Sequence, residues 1–392
     1  MATTNDAPLE EDWSALTKQA NDAFLQGRFA DVIPLLDRML LIAGDTTERE
    51  GCVHSFFSAV YGSMGQFDKA LWHSQQHHAN ADERGDAKNR AAALGNMGQA
   101  FRNMGHPAKQ VDCIHEAMAL CRAENDHDGE CVHHANLGVA LKALGQRDAA
   151  FEAHLQELAL AERHNLTNRI IGAHGRVGSA YKDALALDKA TEHFERQMQL
   201  AKAAGDGLNE RKALVSLADV QCFSPDASRA LEMFATALRA AQDIGDVLAQ
   251  SSIRQGMGMA CFAMMQLDAA VEHFTSALEL RPDMSGMHVA RIKNNIGSAH
   301  LLAHRYAEAS SVLVDAVELY EEVRRGITDD RQRVSIFDLH VDALKLLQAA
   351  LLAQNRHEEA LLWAQGGRAP ALSMLLGPST PPLRCWEDLQ EA

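Results

Sequence analysis

A 40-residue step runs through most of this 392-residue chain, and it constrains the fold more than any other feature. Small residues align as Gly98-Gln99-Ala100-Phe101, Gly138-Val139-Ala140-Leu141, Gly178-Ser179-Ala180-Tyr181 and Gly258-Met259-Ala260-Cys261; Ala218 falls on the intervening step and Gly297 comes one residue early. Twelve positions after this landmark stand Ala70, Ala150, Ala190, Ala230, Ala270 and Ala309, with Val32 and Gln110 in two degenerate units. Four positions further come Phe194, Phe234 and Phe274, or Leu36, Ile114 and Leu313, while Ser74 and His154 depart from the pattern. A repeat of this length is one supersecondary unit, which buries its apolar face by stacking on its neighbours rather than by closing a single core.

The unit is helical. Aromatic residues make up only 5% of the chain and its nine prolines leave long stretches unbroken, which suits helix and disfavours strand. Leu137, Leu141 and Leu144 follow i, i+4, i+7 spacing and form one apolar stripe. Gly105 and Gly145 then turn the chain, and Gly85-Asp86, Gly205-Asp206 and Gly245-Asp246 end the second helix of a unit. A Gly or Ala where two helices cross permits close approach, and a large residue four positions after the second small one fills the next groove. The spacing predicts eight helix pairs from Trp13 to Arg325.

This pattern resembles the tetratricopeptide repeat. The usual unit of that family is about 34 residues, so the extra length adds under one turn to each helix. The resemblance implies an all-α, right-handed α-solenoid, or superhelix, with the first helix of each unit lining a concave groove. Ala93-Leu94-Gly95-Asn96-Met97-Gly98 and His134-Ala135-Asn136-Leu137-Gly138 are similar to segments of the Pins and LGN group of spindle-orientation adaptors and of the tetratricopeptide repeat protein 28 type.

Leu319-Tyr320-Glu321-Glu322-Val323-Arg324 leads through Asp329-Asp330-Arg331 and Ser335-Ile336-Phe337-Asp338-Leu339 to His357-Glu358-Glu359-Ala360-Leu361. It continues to Gly366-Gly367-Arg368-Ala369, and the succession resembles the junction that precedes a CHAT domain, a caspase-related fold. The junction motif departs from the family at Gln365-Gly366, and Pro370 disturbs the helix that would continue it. Only ten residues follow Pro382, so the CHAT domain is expected to be absent. The reading divides the chain into an acidic flexible N-terminus (1–12), a solenoid (13–326), C-terminal capping helices (327–376), and a Pro-rich linker with a short tail (377–392).

A formal net charge of −16 argues against nucleic-acid partners, which require clustered Lys and Arg. The seven scattered cysteines contain no C-x-x-C pair, so they mark neither a disulfide framework nor zinc, and a reducing compartment fits best. The start of the chain lacks a signal-peptide pattern and no segment reads as a membrane span, so a cytoplasmic location is expected.

Within the acidic chain, bases fall four residues after the landmark in three successive units, at Arg102, Lys142 and Lys182. Asn96, Asn136 and Arg176 lie two residues before it, and Gln99 and Ser179 one after. This ladder suits an extended acidic peptide, whose carboxylates and backbone amides and guanidinium groups bind; Pins and LGN repeats use comparable Asn and Arg positions. The competing reading is that these are ordinary solvated helix residues.

His73 and His77 share a helix face and invite a metal, but Ser74 stands where H-E-x-x-H needs Glu, so they read as an exposed helix pair. His133-His134 beside Cys131 raise the same question. Gly172, Gly175 and Gly178 read as helix packing rather than a nucleotide loop, since no strand precedes them. Met257, Met259, Met264 and Met265 read as core and groove filler. No cofactor is expected. The sequence points to a non-enzymatic adaptor for proteins or peptides. Its alternatives are the regulatory arm of a CHAT-type protease, or a sensor that closes on its acidic N-terminus or on the Trp386-Glu387-Asp388 tail.

Overall fold

The computed structural model describes residues 6–25, 27–43, 47–224, 227–282, 284–326 and 330–364, which are helical apart from short links. Two compact units divide the chain at Val177 and Gly178.

Unit 1 contains α1 (Asp6–Leu25), α2 (Phe29–Ala43), α3 (Thr47–Ser63), α4 (Phe67–Glu83), α5 (Ala87–Asn103), α6 (Pro107–Ala123), α7 (His127–Ala143), α8 (Arg147–Arg163) and the first part of α9 (Thr167–Asp183). From α3 to α9 every helix has 17 residues and every link three, which accounts for the 40-residue period. The middle link residue adopts a left-handed conformation, supplied by Gly65, Gly85, Gly105 and Gly145 and by Asn125 and Asn165. Gly and Asn are the residues that enter this region at least cost. Helix α1 begins at Asp6, so residues 6–12 of the segment expected to be flexible are helical. Its acidic residues and Pro8 are both compatible with a first turn.

Unit 2 holds the rest of α9, then α10 (Leu187–Ala204), α11 (Gly207–Gln221), α12 (Ser228–Asp243), α13 (Val247–Ala263), α14 (Leu267–Leu280), α15 (Gly286–Leu302), α16 (Tyr306–Gly326) and α17 (Asp330–Ala353). Residues 357–364 are also helical. Here Leu185, Met265 and His304 occupy the left-handed link position, with φ near +58°.

The landmark residues meet as their spacing requires. A methyl group added to Gly178 would lie 2.8 Å from the Phe194 ring, and one on Gly258 would lie 2.6 Å from Phe274. At Gly297 the same group would collide with Leu313, and at Gly138 with His154. In the degenerate unit Ser58 and Ser74 hydrogen-bond at 2.6 Å in the same place. Phe194, Phe234 and Phe274 are completely or almost completely buried, each contributing roughly 1.5–3 kcal/mol of apolar transfer.

A recurrent device holds the first helix of four units. Asp86, Asp126, Asp206 and Asp246 precede α5, α7, α11 and α13, and each side chain accepts a hydrogen bond from the backbone N–H three residues on. In unit 2, α17 packs over α16, where Leu344, Leu347 and Leu351 cluster with Leu313, Val317 and Tyr320. The junction motif at 365–369 and the 377–392 tail lie outside the described residues.

Candidate binding face

In unit 1 the structure brings Asn96 and Gln99 together at one cavity. It measures about 260 Å³ and lies where α3, α4 and α5 meet, with Ser58, Ser63, Phe67 and Asn103 also on its wall. The Gln99 Nε2 donates to Asn103 Oδ1 at 3.1 Å, so the amides already form a short polar row along α5. Small side chains keep the opposite wall low, because α3 presents Ala59 and Gly62 there. The lining carries no charged side chain and mixes amides and hydroxyls with small apolar residues and Phe67. Amide and hydroxyl groups of this kind both donate and accept, which suits the peptide bond. Ser58 stands at the landmark position of its unit, while Ser63 and Asn103 lie five residues after the landmark in two successive units.

The bases divide into two classes. Arg102 on α5 and Lys142 on α7 are exposed. Arg176 instead holds Glu157 of α8 through two hydrogen bonds, one of them Nε to Oε2 at 2.7 Å. Glu157 is wholly buried, and its desolvation pushes the carboxyl upward against the pull of Arg176. In unit 2, half-buried Lys182 pairs with Asp219 at 2.8 Å, and Ser179 is half-buried beside it in sequence. Asn136 is half-buried on α7. Of the bases expected along this face, Arg102 and Lys142 are exposed, whereas Arg176 and Lys182 form ion pairs with Glu157 and Asp219. These partners lie 19 and 37 residues away in the sequence.

The histidines singled out by the sequence are interior groups. His77 is buried and His73 half-buried, contrary to the exposed pair expected. His73 stacks on Phe57 and Tyr61, its Nδ1 lies 2.9 Å from that of His54, and burial lowers its pKa to about 4. His133, His134 and Cys131 are buried as well. No group of three metal-capable side chains forms among the described residues. Burial raises the thiols of Cys113, Cys121, Cys131 and Cys222 to about 11, which leaves them protonated at neutral pH. In unit 2, Met257 packs beside the Phe234 cluster, whereas Met259 is exposed and accepts from Asn295 at 3.6 Å. No helix among the described residues is long and apolar enough to cross a membrane.

No family model matches the chain, and no curated protein matches it by sequence. Solved structures do match in fold. A Rap protein complexed with competence and sporulation factor superposes with a TM-score of 0.56 at 14% identity, over 89% of this chain and 89% of its own. NprR in complex with its cognate peptide NprX gives 0.51 at 11% identity, over 78% of this chain and 87% of that one. The STAND protein PH0952 from Pyrococcus horikoshii, which carries a tetratricopeptide repeat sensor, gives 0.51 at 14% identity over 76% of this chain and 42% of its own. With the helix pairs described above, these define the class: an all-α solenoid of tetratricopeptide-like repeats.

Proposed function

We propose that this chain is a non-enzymatic adaptor that holds an extended peptide segment of a partner protein against the first-helix face of its repeats. The observation that carries the reading is the cavity of unit 1, which gathers Asn96, Gln99 and Asn103 into a neutral, amide-lined recess. Side-chain amides pair with a peptide backbone whatever its sequence, and exposed Arg102 and Lys142 add a preference for acidic side chains. Two proteins of similar fold are complexed with a cognate peptide and with competence and sporulation factor, which supports the same use of the fold here. The likeness to Pins and LGN repeats adds to the adaptor reading, and a cytoplasmic site of action accords with it. A regulatory arm of a CHAT-type protease, or a sensor, would use the same face.

An array of immobilised extended peptides, graded from neutral to acidic, tests the proposal. The wild-type chain should retain acidic peptides best. Asn96→Ala with Gln99→Ala should weaken retention about tenfold across the array, the equivalent of roughly 1.4 kcal/mol from lost amide bonds. Arg102→Glu with Lys142→Glu should erase the acidic preference while sparing neutral peptides. Equal retention by all three proteins would overturn the assignment of this face.

A further inference from the structure

We propose that mild acid weakens the joint between α7, α8 and the unit 1 part of α9 through protonation of His154, making unit 1 loosen at a defined place. His154 occupies the position that Phe194 and Phe274 fill in later repeats, wedged against Gly138 as they are against Gly178 and Gly258. Its ring is buried, and its Nδ1 makes no hydrogen bond and stands 4.0 Å from Glu157 Oε2. A phenyl ring in this wedge is indifferent to pH; an imidazole is not.

The surroundings oppose a charge on the ring. Lys142 faces it from α7 and Arg176 from α9, while Glu157 of its own helix places a carboxylate beside it. That carboxylate is engaged by Arg176 through two hydrogen bonds. Desolvation first, then Arg176 and Lys142, lower the His154 pKa from 6.5 to about 4. A proton taken up by Glu157 does not rescue the arrangement, because it removes the negative charge beside His154 and loosens the Arg176 clamp.

The sign follows from linkage. The open joint, with its imidazole in water, binds a proton more tightly than the closed one. Closure therefore holds fully above the ordinary histidine value and weakens as pH falls from there toward the lowered one. Between about pH 7.5 and 5.5, this single group raises the opening equilibrium about tenfold. The neighbourhood is disposed the same way: His133 and His134 of α7 and His174 of α9 are buried as well. The joint carries Asn136, Lys142 and Arg176, so a ligand held there would be released on acidification. That consequence rests on the peptide-binding reading; the loosening itself does not.

Hydrogen exchange of the full chain without ligand, corrected for intrinsic rates and compared at about pH 7.5 and 5.5, separates the two. Protection in α7 to α9 should fall about tenfold further in the wild type than in His154→Phe. Equal falls in both proteins would overturn the proposal. Should the variant lack wild-type helicity at neutral pH, the wild-type His154 imidazole titrated by NMR decides instead. A midpoint well below 6.5 supports the proposal, and one at or above it sinks it.

Discussion

Gly258 sits in the middle of α13, where helix propensity alone would favour Ala by roughly 1 kcal/mol. The Phe274 ring is 2.6 Å from the place a methyl group would take, and displacing a fully buried ring costs about 1–3 kcal/mol. Gly258→Ala should therefore lower the melting temperature; an unchanged or raised value in a thermal scan would contradict the crossing geometry. The link residue Met265 makes the opposite case. It is exposed and held at φ 59°, a conformation costing a non-glycine residue roughly 1–2 kcal/mol, whereas Gly takes it freely. Met265→Gly should raise the denaturant midpoint by an amount equivalent to about 1 kcal/mol.

At the scale of the helix, the capping aspartates and the buried pair of α8 and α9 make separable claims. Asp126→Ala should cost about 1 kcal/mol by freeing the Gly129 N–H at the start of α7. Hydrogen bonds from Asn89 and Asn209 lower the pKa of Asp86 and Asp206, so their contribution is present above the ordinary value of 3.8 and is lost as pH falls below it. Arg176→Met should cost about 3 kcal/mol in chemical denaturation, because it leaves Glu157 charged and unpaired inside the protein. Adding Glu157→Leu should recover much of that loss. These two classes of interaction were not equally legible in the sequence. Gly98, Gly138, Gly178 and Gly258 could be read directly, because a close helix crossing admits little besides Gly or Ala and the period repeats the requirement. Asp86, Asp206 and Asp246 were visible as the residues after a terminating glycine, though not as caps. The pairing of Arg176 with Glu157 and of Lys182 with Asp219 could not be read, since each joins helices whose side-chain directions depend on how hairpins stack. The amide cavity was half legible: Ser58, Asn96 and Gln99 stand at or beside the landmark, whereas the way α3 and α5 close on one another, bringing Ser63 and Asn103 to the same wall, depends on how two units stack.

Over the whole molecule the same wedge position is filled differently in the two units: Leu36, Ser74, Ile114 and His154 in unit 1, Phe194, Phe234, Phe274 and Leu313 in unit 2, so the two polar members both fall in unit 1. Unit 2 also gains α17, whose leucines cover Tyr320 and Leu313. Removing residues 327–392 should bare that cluster, with a loss of about 1.5–3 kcal/mol for each large side chain returned to water. Limited proteolysis should then cut α15 and α16 before α3 and α4; the reverse order would show that α17 is not the cap of unit 2. Within each unit, helices touch those next to them in sequence and, more lightly, the next but one. Such contacts need only short loops to close, so they form quickly and impose little waiting on the rest of the chain. A hairpin leaving the ribosome finds most of its partners already behind it, and this protein can take shape at the pace of its own synthesis.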